Sequence, residues 1–74
     1  MTKLMDGYDV GLSLDPGTLV ELYSNGDKVG RRFFNGLARD GCLEFYAPED
    51  ADKVPRGDWV EAYMIQDVQV RVLE

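Results

Sequence analysis

The sequence contains no histidine and a single cysteine, Cys42. Without an imidazole there is no His-based general base or triad, and Cys42 has no histidine to activate it as a nucleophile. One thiol cannot close an internal disulfide, which suits a reducing cytosol, and a structural zinc site lacks its four ligands. No apolar run approaches the roughly 20 residues that cross a bilayer, and nothing at the start of the sequence reads as a signal peptide. A glycine-rich phosphate loop is missing as well. The expectation is a soluble, cytoplasmic, non-catalytic protein without metal or cofactor. Positive charge is also scarce. Eight basic against 14 acidic side chains leave a net charge of −6, which excludes a global basic field and leaves room only for a local patch.

What is present is a strand pattern. Alternation with period two runs from about Thr18 onward. Residues 18–23, TLVELY, are followed by Asn25-Gly26, the strongest short hairpin signal. Residues 28–38 form a long run carrying Gly30 and Gly36, where a strand is expected to bulge or bend. Asp40-Gly41 turns the chain into 42–47, and a polar loop over 48–57 precedes a fourth strand at 58–65. After Gln66-Asp67, residues 68–73 set Val68, Val70 and Val72 on one face. Leu4, Met5 and Tyr8 have helical spacing, but Gly7 and Gly11 weaken it, so residues 1–14 read as a short helix or irregular cap.

These elements predict an all-β fold spanning 1–74 as one domain: a small five-stranded, strongly bent open barrel, Sm-like or SH3-like. A chain of 74 residues buries only about 60–65% of its unfolded surface, and folds this small often gain burial by oligomerising. The terminal strand, with three valines and few charges, reads as an unprotected edge suited to a homo-oligomer. Its valines, with Trp59 and Tyr63 of the preceding strand, are the candidate subunit interface; core packing serves the last two equally well.

The stretch Gly30-Arg31-Arg32-Phe33-Phe34-Asn35-Gly36 raises the functional question. Arginine beside phenylalanine supplies phosphate contacts and base stacking to single-stranded nucleic acid. A bent strand uses the same residues with rings inward and charges outward. In a strand Arg31 shares a face with Phe33, and Arg32 with Phe34, so each face carries one ring and one cation. Lys28, Arg31, Arg32 and Arg39 fall close together in the sequence, as a local basic patch or as scattered surface charge, while Glu49, Asp50 and Asp52 gather in the polar loop. Those acids lack the spacing of a calcium loop and read as a solvated surface.

Residues 17–50 resemble the first motif of the Sm/LSm family. Val20, Leu22, Asn25, Gly26, Gly30, Asp40, Leu43 and Phe45 stand where that pattern puts its apolar, turn and acidic residues. The resemblance implies a ring in which the fourth strand of one subunit pairs with the fifth of the next. It implies binding of single-stranded RNA near the pore, with Arg39 at the contacting face and Arg31 and Arg32 behind it. Cys42 replaces the asparagine that such proteins place before the third strand. Arg56-Gly57-Asp58 copies the letters of the second motif too early in the chain, and Gln66-Asp67, which holds its place in strand order, has no arginine. The layout is also similar to PilZ-type barrels, but neither Arg31 nor Arg32 has an arginine four residues on for that family's dinucleotide site. The negative charge favours a different class: an acidic adaptor or inhibitor, of the kind phages encode, with a basic protein partner and no nucleic acid.

Overall fold

The computed structural model describes residues 4–52 and 60–73. Its elements are β1 (Met5–Asp6), α1 (Gly7–Ser13), β2 (Leu19–Ser24), β3 (Asp27–Leu37), β4 (Cys42–Tyr46), β5 (Val60–Met64) and β6 (Val68–Val72). Short 3-10 turns occupy Pro48–Asp50 and Ile65–Asp67. Asn25 and Gly26 both take positive φ (53° and 85°) in the turn between β2 and β3. That twist matches the strands it joins, and asparagine and glycine reach it at least cost. The next hairpin closes through Asp40, whose carboxylate accepts from the Cys42 amide at 3.0 Å. Asp6 caps α1 in the same way, accepting from the Asp9 amide at 2.9 Å.

The strands form one open, antiparallel sheet in the order β1-β6-β2-β3-β4-β5. Two register shifts bend it: one at Leu22–Tyr23 on β2, opposite Gly30, and one between Phe34 and Gly36 on β3. The sheet closes over a core of Val10, Val20, Leu22, Phe34, Leu43, Phe45, Val68 and Val70. Helix α1 adds Val10 to this core and packs onto the Ile65–Asp67 turn.

Two expectations are corrected here. Among the described residues the sheet has six strands, not five, because Met5–Asp6 pairs with β6 before the chain turns into α1. For the same reason the terminal strand is not an open edge. β6 lies between β2 and β1, with Met5 opposite Val70 and Asp6 opposite Gln69. Two residues carry no alternation, so this strand exists only through its pairing partner. Among the described residues no helix is long and apolar enough to cross a membrane.

Candidate functional site

The pleat of β3 divides the arginine–phenylalanine stretch between the two sides of the sheet. Phe34 is buried, and Arg32 stands opposite buried Val20, so both occupy the inner face. Arg31 and Phe33 point outward, opposite Glu21 and Leu19. The Phe33 ring stacks on Tyr46 of β4, with centroids 5.4 Å apart and planes at 29°. The outer face therefore joins an exposed guanidinium to a half-buried ring pair.

Two of the four candidate cations are occupied by carboxylates. Arg32, with a side chain only 20% exposed, reaches across β4 on the inner face, and its Nε donates to Glu61 Oε1 of β5 at 3.0 Å. The Tyr63 hydroxyl donates to the same oxygen at 3.1 Å. Burial, then this contact with Glu61, raises the pKa of the Tyr63 hydroxyl above its ordinary value. Lys28 Nζ lies 3.0 Å from Glu21 Oε2, while Arg71 and the Tyr23 hydroxyl donate to Oε1 at 3.1 and 2.8 Å. Among the described residues the side chains of Arg31 and Arg39 make no hydrogen bond or ion pair. Arg39 stands in the turn past the far end of β3, eight residues on from Arg31.

The candidate interface residues have other work in this chain. Val68 and Val70 are fully buried core residues, because the alternation that aligned them turns them inward, and Val70 is paired on both sides, with Leu22 and with Met5. Val72 is half-buried opposite Val20. Tyr63 packs edge-on to Phe45, centroids 6.0 Å apart. Trp59 lies outside the described residues. Burial, with Asp40 nearby, holds Cys42 as the thiol. Among the described residues no group of three metal-ligating side chains comes together.

Sequence reasoning missed Tyr46 and the two carboxylates, Glu21 and Glu61. Their partners come from other strands, and only the register reveals them. The Glu21 carboxyl is held below its ordinary value of 4.5, first by Lys28, then by Tyr23, with Arg71 adding to both against a smaller opposing effect of burial. A depressed folded pKa gives stability that is present above about pH 4.5 and is lost as pH falls through the lowered value. Glu21→Gln is therefore expected to destabilise the protein near neutral pH. The gap to wild type should narrow in acid, as the Glu21 carboxyl takes up its proton. Urea midpoints at about pH 7 and about pH 3 check this; a gap of the same size at both would refute it.

No protein-family model, curated protein or solved structure matches the chain.

Proposed function

We propose that the chain is a non-enzymatic binding module that holds single-stranded nucleic acid, RNA ahead of DNA, on the outer face of β3 and β4. The observation that carries this is Arg31, unpaired among the described residues, on the same face as the stacked rings of Phe33 and Tyr46. A nucleobase can stack on the rings while the guanidinium meets the adjacent phosphate. The bent β3 and the compact meander of the longer strands support a small open barrel of Sm-like or SH3-like type, and the preference for RNA follows from the Sm resemblance of residues 17–50. With a net charge of −6 and few free cations among the described residues, binding is weak and localised.

Titration of a labelled uridine-rich oligonucleotide against salt tests the proposal. One or two phosphate contacts give a slope of log K on log salt of about −0.7 to −1.4, and Arg31→Ala should reduce it by about 0.7. Phe33→Ala should weaken binding roughly tenfold at every salt concentration, through lost stacking of ~1.4 kcal/mol. Absence of binding at low salt overturns the proposal.

A second reading, the acidic adaptor, has its own observation. Helix α1 turns Tyr8 and Leu12 outward, 56% and 86% exposed, and Asp6, Asp9 and Asp15, in and next to the helix in sequence, are exposed too. An apolar pair with acidic sequence neighbours suits a basic amphipathic segment of a partner. Loss of a recovered partner on Leu12→Ser, with no oligonucleotide binding, would favour it.

A further inference from the structure

We propose that two copies of the chain pair antiparallel along β5, about a twofold axis at Ala62, and form a closed dimer rather than a ring. Among the described residues β5 ends the sheet on one side. Natural edge strands avoid pairing through lysine, proline, bulges or inward charges. Residues Val60–Met64 contain no lysine, arginine, proline or glycine. Pairing with β4 is regular from Cys42–Met64 to Tyr46–Val60, so no bulge twists this edge away. Its one charge, Glu61, points inward but is neutralised by Arg32. Nothing in the strand resists addition of another strand.

The other edge decides which strand is added. A head-to-tail ring would set β5 of one copy against β6 of the next. That position is taken within each copy by β1, at Val70 and Gln69. β1 itself offers a free edge only two residues long. The regular edge left for β5 is β5 of a second copy, and that pairing is isologous and closes.

The register about Ala62 is self-complementary. It sets Val60 against Met64 and Glu61 against Tyr63, each twice by symmetry. Val60, Ala62 and Met64 share the outer face with Phe33 and Tyr46. The row Phe33–Tyr46–Val60 would continue into Met64 and Cys42 of the second copy. Met64, 55% exposed in the single chain, would gain a cross-strand apolar neighbour in Val60.

The test uses the free protein without oligonucleotide, so its outcome is independent of what the outer face binds. Native mass spectrometry and light scattering, from micromolar up to ~100 µM, should show conversion from one chain to two, because dimerisation follows mass action. The dimer mass is twice the 8.3 kDa of one chain. Met64→Lys should leave a monomer with the wild-type circular dichroism spectrum. In a Cys42→Ser background, Ala62→Cys should oxidise to a covalent dimer, since directly opposed antiparallel residues lie within disulfide reach. Gln69→Cys, exposed on β6, should not. A monomer throughout, a discrete mass above the dimer, or equal crosslinking of the two cysteine variants overturns the proposal.

Discussion

Gly7→Ala is expected to destabilise the protein by about 3 kcal/mol, toward the upper end of the overpacking range. A Cβ at this position would lie 1.8 Å from the Ile65 carbonyl oxygen and 2.8 Å from its carbon. Both are backbone atoms, so no change of rotamer relieves the clash. Gly7 is not in the positive-φ region; the requirement comes from how closely α1 approaches the turn linking β5 to β6. Relief would need α1 to move, withdrawing Val10 from the core and straining β1, which immediately precedes Gly7. A domain of this length has roughly 4–11 kcal/mol of stability in total. The loss should therefore lower the thermal midpoint by about 12–24 °C. Gly11→Ala is the control. Its Cβ would meet Ile65 Cδ1 and Leu43 Cδ2 at an ordinary 3.6 Å, so the better helix propensity of alanine should give a gain of about 0.5–1 kcal/mol. Urea denaturation of the two variants decides; equal midpoints would show that α1 does not sit directly on the turn.

The two hairpins and the long bent strand were legible in the sequence because their signals are local. Asn25-Gly26 and Asp40-Gly41 name their turns, and alternation in 68–73 places Val68 and Val70 inward. What was not legible depends on pairing between distant segments. Met5–Asp6 becomes a strand only against β6, and the same pairing removes the edge on which a ring depended. Glu21 binds Arg71 from the opposite end of the chain, and no local pattern shows it. The site turns on one extra residue. Leu37 pairs with Leu43 and Gly36 with Glu44; continued without interruption, that register would place Phe34 opposite Tyr46. The bulge at Asn35 shifts the ladder by one, so Phe33 meets Tyr46 outside and Phe34 meets Phe45 inside. Composition supplied the residues for a stacking face, and the bulge decided which of the two phenylalanines belongs to it.

That division makes the adjacent phenylalanines the most informative pair to replace. Phe34→Ala is expected to cost about 4 kcal/mol, the usual loss for a phenylalanine removed from a closed core. Phe34 is 2% exposed and lies 5.4 Å from the Phe45 ring, which in turn meets Tyr63 edge-on. Its removal leaves a cavity beside the Phe45 ring, a large loss against a total stability of roughly 4–11 kcal/mol. The variant should be partly unfolded at physiological temperature. Phe33→Ala removes a half-buried ring from the outer face, where it abolishes only the stack on Tyr46. That stack and its partial burial are together worth about 1–2 kcal/mol, so the variant should fold and keep its circular dichroism spectrum while losing oligonucleotide affinity. The opposite assignment, with Phe33→Ala unfolding and Phe34→Ala folded, would mean that the bulge at Asn35 is absent and that β3 presents its other face. Comparable modest losses in both would mean that neither ring closes the core. Only the first pattern separates a stacking residue from a structural one across a single peptide bond, and one thermal melt with one binding isotherm per variant is enough to see it.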